Sequence, residues 1–168
     1  GFVPGVVRCE KYGTPLEVPA DQVLLSIGRR PNVEGLGLER IGVRTQKGAV
    51  VTDEHMQTNI ANVYAAGDVN GRFMLAHVAY REAEVAVNHM LGRRDQMRYR
   101  AVPSVVYTNP EMASVGETEQ SAREKGMDVQ VVKLPMEYAG RYVAENEEGG
   151  GLCKMVVSRD THAIVGAQ

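Results

Sequence analysis

Apolar positions along this chain switch between a period of two and a helical period, and the switches mark the expected elements. Val6-Val7-Arg8-Cys9 and Leu16-Glu17-Val18 are short extended runs set among Pro4, Gly5, Gly13, Pro15 and Pro19, which fits short antiparallel strands. Gln22 to Ile27 is a nearly continuous apolar run stopped by Gly28, the length of a strand buried on both faces. Arg29-Arg30-Pro31-Asn32 then reads as a turn, because Pro31 disfavours a helical Arg30. Leu36, Leu38 and Ile41 lie among glycines, in a loop or short helical turn. Val43 to Thr45 and Ala49 to Thr52 flank Gln46-Lys47-Gly48 as a hairpin, with Gly48 at positive φ. Asn62 to Ala66 is a further short buried strand, and it ends in Gly67-Asp68.

The strongest helix runs from Leu75 to Leu91. Leu75, Val78, Ala79, Glu82, Ala86 and Met90 recur at three- and four-residue steps, and Gly92 supplies the stop. Arg93 to Gln96 is a polar linker. Beyond it, strands are expected at Val102–Tyr107, Met112–Val115, Val129–Leu134, Cys153–Ser158 and Ala163–Ala167, with a helix from Glu119 to Lys125 capped by Thr118 and closed by Gly126. The expected class is α+β, with a mostly antiparallel second half.

Composition narrows the functions. Nineteen Lys and Arg against 21 Asp and Glu leave a formal charge of −2 in 168 residues, so no global field draws the chain to nucleic acid or an anionic membrane. No run reaches the roughly 18 apolar residues that span a bilayer. No basic, apolar, small-residue signal opens the chain, and a cytoplasmic location is expected. Aromatic residues are 5% with no Trp, which argues against stacking platforms for single strands. Cys9 and Cys153 are too far apart in sequence for a C-x-x-C pair, and His55, His89 and His162 share no metal-ligand spacing, so no metal is expected.

The informative chemistry lies in Thr58 to Asp68 and the residues after it. A strand would deliver the Asp68 carboxylate at its end, where it can accept hydrogen bonds from sugar or sugar-alcohol hydroxyls. Six residues on, Met74-Leu75-Ala76-His77 opens the long helix, whose first N–H groups are unpaired and carry the positive end of the dipole. Together they can grip a polar, partly anionic ligand; the simpler alternative is that Asp68 merely ends a strand.

This segment resembles the second flavin-binding motif of the pyridine nucleotide-disulfide oxidoreductases. Further matching segments follow in the family's order: Ser26 to Asn32, Met74 to His77, Val102 to Glu111, Ala113 to Gly116, Gly140-Arg141-Tyr142 and Ala163 to Ala167. The Met-Leu-Ala-His tetrad favours the lipoamide branch over those acting on glutathione, mercuric ion or coenzyme A disulfide. The resemblance implies that Asp68 binds the ribityl chain of FAD. It implies that Met74, Leu75, Ala76 and His77 present helix amides to the flavin's pyrimidine edge, and that Gly28 lies against the NAD nucleotide. It further implies a homodimer serving the lipoyl-bearing subunit of a 2-oxo acid dehydrogenase complex. Residues 1–31 would end an NAD-binding domain, 32–98 form a central FAD-contacting domain, and 99–168 begin a dimerisation domain.

The family's redox cysteine pair, both Gly-rich nucleotide fingerprints and its catalytic His are not matched in this sequence. Gly149-Gly150-Gly151 does not follow a buried strand in a G-x-G-x-x-G pattern and reads as a loop. The expectation is therefore a piece of a longer enzyme, inactive alone and prone to self-association through uncovered apolar surface. A non-catalytic self-associating module, or a reductase of another disulfide or of a quinone, stands as the alternative. Arg29-Arg30 is solvated surface, Glu82 and Glu84 are two apart and cannot share a site, Glu145, Glu147 and Glu148 form an acidic loop, Met74, Met90, Met112 and Met155 fill the core, and Cys153 is a small buried hydrophobe.

Overall fold

A computed structural model describes residues 5–146 and 150–168. The expected loop at Gly149 and the acidic positions Glu147 and Glu148 lie outside the described residues. The chain divides into two compact units, Gly1–Arg30 and Pro31–Gln168.

In the first unit, strands β1 (Gly5–Lys11) and β2 (Thr14–Ala20) form an antiparallel hairpin. Arg8 pairs with Glu17 in register, and its Nε donates to Glu17 Oε1 at 2.9 Å. The strand expected at Gln22–Ile27 does not form, and Leu24, Leu25 and Ile27 are 90%, 76% and 87% exposed. A strand apolar on both faces needs neighbouring strands and two covering layers; among the described residues of this unit only one hairpin is present.

The second unit opens with a 3₁₀ turn at Leu38–Ile41, followed by the expected hairpin, β3 (Thr45–Gln46) and β4 (Ala49–Val50). Lys47 and Gly48, at φ 51° and 79°, make its tight turn. The strand expected at Asn62–Ala66 is absent. That segment makes one bridge, Gln57 to Tyr64, and Asn62 sits at φ 62°, which breaks an extended run. Helix α1 (Ala76–Met90) follows, within a residue of its expected ends at Leu75 and Leu91. Val78, Glu82, Val85 and Ala86 form its buried face. Around them gather Met56 and Met97, with Tyr64, Leu75, Tyr99 and Val102 packed against the cluster. The core methionines are thus Met56 and Met97, not Met90 and Met112, which are 55% and 62% exposed.

The rest of the unit is one antiparallel five-stranded sheet, in the order β5-β6-β9-β8-β7. Its strands are β5 (Pro103–Val106), β6 (Met112–Gly116), β7 (Val129–Pro135), β8 (Leu152–Ser158) and β9 (Ile164–Ala167). Helix α2 (Glu119–Glu124) begins in a capping box, in which Thr118 Oγ1 accepts from Ser121 N and Ser121 Oγ accepts from Thr118 N, each at 3.0 Å. A short α3 (Gly140–Glu145) lies between β7 and β8 in sequence. The architecture is α+β with antiparallel sheets, as the patterning implies. No helix among the described residues is long and apolar enough to cross a membrane.

Candidate flavin-contacting site

Asp68 stands at the start of a 3₁₀ turn, Asp68–Asn70, with an exposed carboxylate. The residue before it, Gly67, has φ 82° and ψ −157°, a conformation that side chains with a Cβ avoid. A Cβ built at Gly67 would also stand 3.3 Å from Ala79 Cβ, so the turn lies hard against α1 within about a turn of its start. The glycine is therefore required by packing and backbone angle within the chain.

The start of α1 has no side-chain cap: Leu75 occupies the N-cap position, and the first bonds to its carbonyl come from Val78 and Ala79. In α2, by contrast, a capping box pairs the Thr118 and Ser121 amides with side chains of the chain itself. Ala76 and His77 are exposed, Met74 and Leu75 half-buried. The His77 ring is engaged: Nε2 donates to the Pro103 carbonyl at 2.8 Å, tying the start of α1 to the start of β5. Gly28 belongs to the first unit, in a segment without regular structure, at φ 116° with nothing within 4 Å of a Cβ built there.

One residue at the centre of the arrangement is not picked out by sequence reasoning. Glu82 is fully buried on α1. Its Oε2 accepts from Gly67 N at 2.6 Å and from Asn70 Nδ2 at 2.8 Å, and its Oε1 accepts from the Tyr99 hydroxyl at 2.7 Å. A buried carboxylate persists where donors replace its water, and here they come from either side of the helix in sequence. Burial, and next the hydrogen bond to Glu82, push the Tyr99 hydroxyl well above its ordinary pKa, so it stays a proton donor. The Tyr99 ring is stacked on Phe73 at 5.5 Å, and the Arg72 guanidinium sits 5.1 Å from its centroid. The available signal was an acidic residue standing in the apolar stripe of the helix, which calls for buried donors.

A second polar cluster braces α1 nearer its other end. Arg81 holds Asp95 through Nη1 to Oδ2 at 2.9 Å and Nη2 to Oδ1 at 2.5 Å, while Asn88 Nδ2 donates to Oδ2 at 2.8 Å. Those two partners hold the Asp95 carboxyl well below the usual carboxylate range, the Arg81 bonds being the larger cause. The 93–96 stretch, expected as a plain linker, is thereby pinned to α1. His55 and His89 stack at 4.5 Å, with His55 Nδ1 bonded to the Asp95 carbonyl and His89 Nδ1 to the Tyr64 hydroxyl.

An exposed carboxylate on a glycine-shaped turn, packed against an uncapped helix start, belongs to a chain matched by two models of one family. Residues 6–83 match the pyridine nucleotide-disulphide oxidoreductase model, and residues 102–168 match the dimerisation domain of the same family. The chain belongs to the pyridine nucleotide-disulphide oxidoreductases. It is 39% identical over 163 residues to a dihydrolipoyl dehydrogenase of Bacillus subtilis, covering 96% of this chain and 34% of that protein. It is also 42% identical to a mercuric reductase of Staphylococcus aureus, covering 96% of this chain and 30% of that protein. Among solved structures, LpdA from Mycobacterium tuberculosis superposes with a TM-score of 0.80 at 32% identity, covering 91% of this chain and 33% of that one. The chain thus spans about a third of the length of the curated relatives it matches.

Proposed function

We propose that the chain is the central and interface portion of a dihydrolipoyl dehydrogenase-type enzyme, in which Asp68 and the amides opening α1 hold FAD from adjacent sides. The observation that carries this reading is the uncapped start of α1 beside the Asp68 turn. The residues fit the cofactor: the free carboxylate is a hydroxyl acceptor for the ribityl chain, and helix amides at Met74 to His77 favour the negative charge that a reduced flavin gains. FAD when bound would supply the hydride chemistry; the chain's own groups orient it. Gly28, at positive φ, leaves room beside the backbone for the nicotinamide nucleotide.

In this reading 1–31 closes an NAD-binding domain, 32–98 is the central domain and 99–168 the first part of a homodimer interface. The whole enzyme would work in the cytoplasm on the lipoyl-bearing subunit of a 2-oxo acid dehydrogenase complex. The Bacillus relative and the Met-Leu-Ala-His tetrad support the lipoamide substrate. The mercuric reductase relative supports a second substrate within the same family. Both cysteines of the chain are free, and alone it is proposed to be inactive and not to retain FAD.

The test is a chimera in which this chain replaces the matching third of the Bacillus subtilis relative. It should bind flavin and pass electrons from dihydrolipoamide to NAD⁺, and Asp68→Ala should lower its flavin affinity by about tenfold or more, the loss of a charge-assisted hydrogen bond. A folded chimera whose flavin affinity is indifferent to Asp68→Ala would sink the proposal.

A further inference from the structure

Neither hydrophobic periodicity nor the strand expected before Asp68 accounts for where its carboxylate stands. With no strand at 62–66, the Asp68 turn packs against α1 and β4 and is hydrogen-bonded to α1 through one buried side chain, Glu82. Glu82 takes the Gly67 amide and the Asn70 side chain on one oxygen, and so brackets Asp68 from both sides. Its other oxygen takes Tyr99, whose ring is stacked on Phe73, the residue before Met74. Arg72, next along, reaches over the same ring and donates from Nη2 to the Thr52 carbonyl at 2.8 Å. One carboxylate therefore fixes both the turn carrying Asp68 and the segment leading into α1, while itself being a residue of α1.

We propose that Glu82 is the positioning residue of the flavin grip: it sets where the Asp68 carboxylate stands relative to the start of α1, and touches no cofactor itself. This rests on the flavin reading of Asp68. The role depends on reach rather than charge. A glutamine keeps the reach: its Oε1 can face Gly67 and Asn70, and its amide can donate to a Tyr99 hydroxyl turned to accept. An aspartate keeps the charge but is one methylene short, so it cannot serve both sets of donors at once.

The experiment compares Glu82→Gln, Glu82→Asp and Glu82→Ala by amide hydrogen exchange in the intact chain and by flavin titration in the chimera, with Asp68→Ala alongside. Exchange of the Gly67 amide should quicken by about tenfold or more in the Asp and Ala variants and stay within about threefold in the Gln variant, while Val85 and Ala86 in mid-helix hold their protection. Flavin affinity should follow the same order, falling by about tenfold in the Asp and Ala variants. Should Glu82→Ala not fold, the contrast between Gln and Asp decides alone. An unchanged Gly67 amide in the Asp and Ala variants overturns the proposal. So does an aspartate that equals the parent while glutamine fails, since charge would then be what matters. If Asp68→Ala loses flavin but the Glu82 variants that free Gly67 do not, the positioning role falls and the flavin reading survives. If Asp68→Ala keeps flavin, the flavin reading itself has failed and takes this proposal with it.

Discussion

Replacing Tyr99 by phenylalanine removes one hydroxyl and little else. The ring can keep its stack on Phe73 and its place beside Arg72, so packing is conserved. What is lost is the 2.7 Å bond to Glu82 Oε1, together with a weak 3.6 Å contact of the same hydroxyl with Met56 Sδ. A hydrogen bond to a charged group contributes about 1.5–3 kcal/mol. Tyr99 is only half-buried, and Glu82 retains two donors on its other oxygen, which places the loss near the lower end, about 1.5–2 kcal/mol. At about 2–4 °C per kcal/mol for a chain of this size, the transition of the 31–168 unit should fall by about 3–8 °C. Circular dichroism in the helical band follows it, since α1 belongs to that unit. A Tyr99→Phe melt within about 0.5 kcal/mol of the parent would refute the reasoning, because such a change is ordinary for a surface site. The pH dependence gives a second reading. The folded state holds the Tyr99 proton where an unfolded tyrosine loses it, so the folded form binds more protons above the ordinary tyrosine pKa. The stabilisation is therefore whole below about pH 10 and declines above it. The phenylalanine variant lacks that decline, and the two melting curves should converge as the solution becomes more alkaline.

Three further outcomes follow. Asp95 is held ionised by Arg81 and Asn88, so the unfolded chain takes up a proton that the folded chain refuses once the pH drops below about 4; Asp95→Asn should flatten the acid limb of a pH-dependent melt, and an acid limb as steep as the parent's would contradict the pairing. A Cβ at Gly166 would collide with the Glu117 carbonyl across the β6–β9 pair, so Gly166→Ala should cost more than about 3 kcal/mol and strip protection from the Glu117 amide, which donates to Val165 O at 2.9 Å; a parent-like exchange rate there would refute the clash. Thr118→Ala opens the capping box of α2 and should cost about 1 kcal/mol in denaturant titration, whereas Thr118→Ser should be nearly neutral; equal losses in both would place the effect outside the cap.

Local signals in the sequence were enough for most of the elements. The three- and four-residue recurrence from Leu75 and the stop at Gly92 locate α1 to within a residue, because helical bonds and stops act over one turn. Thr118 marks the start of α2 for the same reason. The alternating runs of the second half become β5 to β9, and the Lys47-Gly48 turn joins β3 to β4. Asp68 and the tetrad from Met74 were also visible as candidate ligand groups from short-range pattern alone. Tertiary structure decided otherwise at Gln22–Ile27 and Asn62–Ala66, whose strand character depended on partners that no local pattern can supply. It also decided what holds the Asp68 turn against the helix. Glu82 looked like one of two helix carboxylates, yet its donors lie 15, 12 and 17 residues away, at Gly67, Asn70 and Tyr99. A buried charge is stable only where folding has brought enough donors to it, and that convergence is a property of the folded chain, not of any stretch of the sequence.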